Sequence, residues 1–343
     1  MKVLMWHVHG GYADAFFRGE HEYLVPVNAA RDAWGLGLAG RPWPAAREVP
    51  SDLLRAEDID VVVLQRPEEV EAVHRLTGRA PGRDLPAVYL EHNTPKPDAV
   101  GTLHPMAERT DIPIVHVTHF NHVFWDNGRA RTVVVEHGVP DPGPRYTGDL
   151  ARIGMVVNEP VRRWRITGSD LVPGFARIAP VDVFGMKTDE LPAALDHAGE
   201  DGHGVVPAGD LPPAQLHPQL ARRRLYLHPL RWTSLGLALL EAMHLGMPVV
   251  ALAATEAPRA IPPDAGVVSN DLDALHRAVA SLLNDHALAA EHGRRARAHA
   301  LAHYGHAAFL KRWDEVLGAV VAAAPSRSPL FVPPSPLTER STR

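Results

Sequence analysis

The sequence predicts an α/β protein built as two parallel-sheet halves. Short, continuously apolar and β-branched runs recur along the chain, as strands covered on both faces require. Helical stretches separate several of them, and strand–helix alternation is how parallel strands are connected. The alternation stops once, in the Pro- and Gly-rich segment VPDPGPRYTG at 139–148, and then restarts. The 343 residues suffice for two domains of ordinary size.

The first half opens with VLMWHV (3–8), a strand that meets Gly10-Gly11. Glycine at the carboxyl end of a parallel strand lets a ligand approach the backbone, although an ordinary strand–helix turn has the same composition. There is no GxGxxG fingerprint, so a dinucleotide-dependent dehydrogenase gains little support. IDVVVLQ (59–65), AVYLEH (87–92), IPIVHVTH (112–119) and TVVVEHG (132–138) are four further strands, and PEEVEAVHRLTG (67–78) is a helix. In the second half ARIGMVVN (151–158), VDVFGM (181–186), RRLYLHP (223–229) and PVVALA (248–253) are strands. SNDLDALHRAVASLLND (269–285) is a capped amphipathic helix. Residues 287–323 are helical with a break near Gly305, and the Pro- and Ser-rich tail is expected to be disordered.

Composition narrows the function. Hydrophobic residues make up 45% and charged residues 22%, as in an ordinary globular chain. A net charge of −5 argues against nucleic-acid binding, which needs a basic face. Cysteine is absent, which excludes disulfides and thiolate chemistry and fits the cytoplasm. No run of about 18 apolar residues spans a membrane, and MKVLMWHVH is too short and polar for a signal peptide. The 21 histidines accompany abundant Ala, Arg and Pro.

The most informative stretch is HPLRWTSLGLALLEAMHLGMPVVAL (228–252): a greasy helix, then a greasy strand, with one carboxylate, Glu241. A buried carboxylate needs a partner, either a basic side chain of the fold or a ligand. Thr233 or Ser234 is positioned to cap the helix, and Gly246 with Pro248 to stop it. The free N–H groups of Ser234, Leu235 and Gly236 would then form an anion site. Glu241, seven residues past Ser234, would share its face about 10 Å along the axis. A phosphate at one end and a hydroxyl-bearing group at the other describe a nucleoside diphosphate.

SLGLALLEAMHLGMPVVAL resembles the donor-binding signature of GT-B glycosyltransferases, in particular the retaining family-4 enzymes. The resemblance implies that Glu241 binds the ribose hydroxyls and that the backbone around Leu235 to Leu237 holds the diphosphate. Thr233 stands where the family has a first Glu that contacts the donor sugar. VVVEHGVPDPG (133–143) is similar to the segment ending the family's first domain, and FLKRWDEVL (309–317) to its returning terminal helix. The family neutralises the donor diphosphate with an Arg and a Lys in the loop after the first strand of the second half. Here that loop offers Arg162, Arg163 and Arg165, with Thr167 before Gly168 where the Lys would stand. Guanidinium groups are well shaped for phosphate; a solvated basic loop is the plainer alternative. By the same resemblance His92, after the third clear strand, would lie at the transferred bond as a catalytic group.

Rival readings remain. His7-x-His9 matches the opening of metal-dependent hydrolases with closed (β/α)₈ barrels, and His92, His116 and His137 could complete a ligand set. His116 and His119 fall on opposite faces of their strand and do not form one cluster; one of His116, His119 and His122 could line an acceptor cleft. Asp58-x-Asp60 and Asp271-x-Asp273 precede a strand and cap a helix. A non-catalytic nucleotide- or sugar-binding relative is the other alternative.

The expectation is therefore a GT-B fold of two Rossmann-like domains facing across a cleft. Residues 1–138 form the acceptor-side domain, 139–148 the linker and 149–304 the nucleotide-sugar domain. Residues 305–323 return to the first domain, and 324–343 form the tail. The expected activity is metal-independent, retaining sugar transfer from a nucleotide-diphosphate donor to a small-molecule or glycan hydroxyl, with no cofactor. Expected donor contacts are Glu241, Thr233, Ser234, Leu235, Gly236, Arg162, Arg163, Arg165, Gly10 and Gly11, with His92 catalytic.

Overall fold

The computed structural model describes residues 1–323; the expected disordered tail at 324–343 lies outside them. Two open parallel sheets account for every strand among these residues. The first contains β1 (Lys2–Met5), β2 (Glu22–Val27), β3 (Ala46–Pro50), β4 (Val61–Leu64), β5 (Ala87–Glu91), β6 (Ile114–His116) and β7 (Thr132–Val134). Their order is β3-β2-β1-β4-β5-β6-β7, with registers such as Val3↔Val61 and Tyr89↔Ile114. The second contains β8 (Leu150–Val156), β9 (Val181–Phe184), β10 (Val205–Gly209), β11 (Arg223–His228), β12 (Val249–Leu252) and β13 (Gly266–Ser269). Their order is β10-β9-β8-β11-β12-β13. In both sheets the order reverses beside the first strand, which opens a crevice at the carboxyl ends of the central strands. Open sheets leave no place for the closed barrel that the metal-hydrolase alternative requires.

Apolar continuity explains the central strands. Val3, Leu4, Met5 and Val61 through Leu64 are wholly buried, with helices on both faces. β2, β3, β10 and β13 are not anticipated by the apolar runs. β3, β10 and β13 are sheet edges, where one side lacks a partner strand and a polar sequence such as AREVP is tolerated. β2 is interior, but Pro26 disguises EYLVPV as a turn.

The chain crosses between the sheets twice, and the two crossings touch. Val139 N–H donates to the Tyr304 carbonyl at 3.0 Å, and Val139 pairs with Gly305 in a parallel bridge. Beyond this point the 139–148 segment is tied to the second sheet's side. Arg145 and Tyr146 N–H groups donate to Leu245 O, and Thr147 and Gly148 to Ala221 O. Arg297 grips Asp141 at 2.7 Å through both nitrogens and also bonds the His244 carbonyl. The returning helix His306–Ala323 inserts Phe309, Trp313 and Leu317 into the first domain's core, where Trp313 Nε1 donates to Tyr12 OH at 2.8 Å. A Cβ on Gly138 would lie 2.2 Å from Phe309 Cβ, so that approach requires glycine.

Candidate active site

A cavity of about 710 Å³ separates the carboxyl ends of the two sheets. The first half contributes Val8–Tyr12, His92–Thr94, Lys96 and His137; the second contributes Val156–Glu159, Arg162, Arg163, Ile166, Met186, Leu230 and Trp232–Ala238. Thr233, Ser234, Leu235, Gly236, Gly10, Gly11, His92, Arg162 and Arg163 all line it, whereas Arg165 and Glu241 do not.

The helix at its floor starts later than the sequence suggests. It spans Leu237–Leu245 with Gly236 as N-cap and no side-chain cap, and it ends at Gly246 with φ +90°. Neither Thr233 nor Ser234 caps it. Ser234 Oγ instead donates across the cleft to the His92 carbonyl at 2.9 Å, so Ser234 and Glu241 share no helical face. Leu237 and Ala238, the first residues of the helix, line the cavity, and no side chain caps the first-turn N–H groups. Gly236 keeps that end open: a Cβ there would come 3.2 Å from the His228 ring. Gly10-Gly11 is not a free turn either. It begins the Gly10–Phe16 helix, and Gly11 faces Leu237, whose Cδ1 lies 3.1 Å from where a Cβ would stand.

The three arginines of the Pro160–Thr167 helix have separate fates. Arg162 is exposed and pairs with Glu159, while Arg165 is exposed and pairs with Asp170 at 3.1 Å. Arg163 is half-buried and has no side-chain partner among the described residues; desolvation, then the Arg162 charge, lowers its pKa. The backbone around it holds two non-glycine residues at positive φ, Glu159 (φ 54°) and, at a kink in the helix, Trp164 (φ 24°). Such conformations cost about 1–3 kcal/mol each and cluster at ligand clamps. Thr167, at the position of the family's Lys, is wholly buried and bonds Trp164 O and Ser169 Oγ.

The structure adds neighbours that the sequence did not assign to this cleft. His9 sits 4.2 Å from His92, ring centroid to centroid, and Tyr12 lies edge-on to both His92 (4.7 Å) and His137 (5.7 Å). Desolvation in the cleft lowers all three histidine pKa values, His137 to about 4 and His92 well below the usual range. They are therefore neutral at neutral pH. His7 points away, onto Gly37 O and Trp43. Among the described residues no group of three or more His, Asp or Glu has a metal-holding arrangement. Of the later histidines, none of His116, His119 and His122 lines the cavity. His116 and His122 do touch, at 5.7 Å, because the Thr118-capped turn brings the His119–Phe124 helix back beside β6. Asp60 accepts from Lys2 N–H and Asp271 caps Leu272–Asn284, both structural.

Glu241 has a histidine beside it but no hydrogen bond to it. It is partly buried, with His217 Nε2 at 3.5 Å, and lies one turn beyond the cavity-lining Leu237 and Ala238. Trp232 reaches across from the second half: its Nε1 donates to Pro95 O at 3.0 Å, and Phe120 and Phe124 pack on its ring. Phe120 N–H in turn donates to Glu256 Oε2 at 2.7 Å. Lys96 and Trp232 carried no motif; His9 and His137 entered only the metal-hydrolase alternative, and a strand-end position is the one signal that could have marked them for this cleft.

Residues 176–285 match the family described as Glycosyl transferases group 1. No curated protein matches the chain in sequence at a significant level. Its fold is similar to that of sucrose-phosphate synthase from Thermosynechococcus elongatus, with a TM-score of 0.72 at 14% identity over 94% of this chain and 100% of that one. It is similar to HepE from Anabaena, solved with UDP and glucose, with a TM-score of 0.69 at 15% identity over 93% of this chain and 100% of that one. A TarM mutant from S. aureus, solved with UDP, fondaparinux and α-GlcNAc-glycerol, has a TM-score of 0.60 at 15% identity over 75% of this chain. The chain spans only about 55% of the length of that TarM structure. The two sheets and the cleft between them are thus the GT-B fold of glycosyltransferases, and the C-terminal half of the chain carries a glycosyl transferases group 1 match.

Proposed function

We propose that the chain transfers a sugar from a nucleotide-diphosphate donor to an acceptor hydroxyl, with retention of anomeric configuration and without a metal. The observation that carries this reading is the pairing, in one cleft, of Arg163, which has no side-chain hydrogen bond or ion pair among the described residues, with the uncapped Leu237–Leu245 helix N-terminus. Charge develops on the diphosphate as the glycosidic bond breaks, and preorganised donors in a water-poor cleft stabilise it without reorganising. The helix N-terminus supplies N–H groups and partial positive charge, and Arg163 supplies a full one. Glu241, beyond the first turn, takes the ribose hydroxyls, and Thr233 and Ser234 flank the sugar.

In this reading residues 1–138, with 305–323, form the acceptor side and 149–304 the donor side. His92 touches the transferred sugar. UDP is the first nucleotide to test, because HepE and TarM were solved with it. Among the described residues no helix is long and apolar enough to cross a membrane.

Thermal-shift titration with UDP, GDP and ADP tests donor binding, since a ligand stabilises by RT ln(1 + [L]/Kd). Mass spectrometry of acceptor mixtures tests transfer, and the anomeric coupling of the product tests retention. Unchanged turnover in EDTA is expected. Binding without turnover of any nucleotide sugar would favour the non-catalytic relative instead, a reading that Thr233 and the buried Thr167 motivate.

A further inference from the structure

The contacts that hold His92 fix more than its position. Gln65 follows β4 and is 6% exposed. Its backbone N–H donates to Glu69 Oε2 at 2.7 Å, and its carbonyl accepts from Tyr89 OH at 3.3 Å. Its side-chain Nε2 donates to the Trp6 carbonyl at 2.8 Å. A carbonyl oxygen only accepts, so the amide NH₂ must face Trp6 and Oε1 must face the other way. There it meets His92 Nε2 at 3.1 Å. Reversing the amide would set oxygen against oxygen at Trp6.

Oε1 also only accepts, so His92 Nε2 carries a proton. The ring is neutral, because desolvation and the neighbouring His9 and His137 rings hold its pKa well below the ordinary value. A neutral imidazole has one N–H, so Nδ1 is a bare lone pair. It has no partner among the described residues. The ring is clamped against turning, with His9 at 4.2 Å on one contact and Tyr12 edge-on at 4.7 Å on another.

We propose that Gln65 is a positioning residue that locks His92 as the Nε2–H tautomer, so that His92 engages a ligand hydroxyl as a hydrogen-bond acceptor through Nδ1. The identity of that hydroxyl, on the sugar or on the acceptor, rests on the glycosyl-transfer reading; the tautomer does not. An accepting nitrogen selects for a group that can donate. A hydroxyl satisfies it, whereas fluorine or a keto oxygen at the same position leaves two acceptors facing each other, a cost that exceeds mere loss of the bond.

The test is imidazole ¹H–¹⁵N correlation spectroscopy on the full chain labelled with ¹⁵N-histidine at pH 7.5, with His92 assigned by its disappearance in His92→Gln. The expected result is a protonated Nε2 and an unprotonated Nδ1 in the wild-type protein, with Gln65→Leu giving a mixture of tautomers. A wild-type His92 protonated at Nδ1, or a Gln65→Leu spectrum with His92 unchanged, overturns the proposal. The wild-type spectrum decides the tautomer even if Gln65→Leu fails to fold. Absence of nucleotide binding would remove the glycosyl-transfer reading while leaving this spectrum as expected; a wrong tautomer with UDP bound would remove this proposal alone.

Discussion

Arg163→Met separates a binding role from a structural one, because the two predict opposite signs for stability. Arg163 is half-buried, faces the cavity, makes no ion pair or side-chain hydrogen bond among the described residues and has its pKa lowered by desolvation, against a smaller opposing pull from Glu159. Its charge is therefore unfavourable in the empty protein, and Met keeps most of the aliphatic packing. Unfolding by urea should show a midpoint unchanged or raised. Asp182→Asn, which strips the shared carboxylate from Arg152 and Arg223, should lower it. Binding should move the other way. Hydrogen bonds to a charged group contribute about 1.5–3 kcal/mol. At 1.4 kcal/mol per tenfold, Arg163→Met should weaken UDP binding by about 10- to 150-fold. Uridine, which has no diphosphate, should bind as before. Calorimetric titration of both ligands into both proteins measures the ratio. An unchanged UDP-to-uridine ratio would refute the assignment, as would a loss of stability as large as that of Asp182→Asn.

Glu241→Ala should weaken uridine and UDP by the same factor, about tenfold or more, because it acts on the part they share; a loss confined to UDP would contradict the ribose role. Stability should fall as pH drops from about 6.5 toward 4. His137 and His228 are held at about 4 and His116 at about 3 by burial, so below 6.5 the unfolded chain binds protons that the native chain refuses. His228→Asn should flatten that slope in pH-dependent urea unfolding, and an unaltered slope would mean that His228 does not contribute. Gly293→Ala should destabilise by about 1–3 kcal/mol or more, since its Cβ would fall 1.9 Å from Gly246 O where two helices meet; a native urea midpoint would show that the helices separate freely.

The sequence exposes those parts of this molecule whose physics is local. Runs such as VVVL at β4 and VVAL at β12 are strands because nothing polar interrupts them, and both are buried throughout. The Asp271 cap and the break at Gly305 likewise depend on a few neighbouring residues. The helix start at Leu237 was misplaced for a non-local reason: the Ser234 hydroxyl that would have capped it is taken by His92, 142 positions away. Arg162 and Arg165 look equivalent to Arg163 in sequence, and only Glu159 and Asp170 distinguish them. The His9–His92–His137 grouping spans three strand ends and exists only once the sheet is assembled.

The bridge between Val139 and Gly305 also bears on how this molecule could be rebuilt. Both connections pass through one seam, so the first and second halves of the chain can be separated at that seam. The returning helix must travel with the first half, because Phe309, Trp313 and Leu317 complete that half's core. A chimera cut at 138 alone would set a foreign helix against Tyr12 and Phe16, whereas one cut at both 138 and 305 keeps each core with its own side chains. The first core is thus a unit of two discontinuous pieces, which recombination must move together.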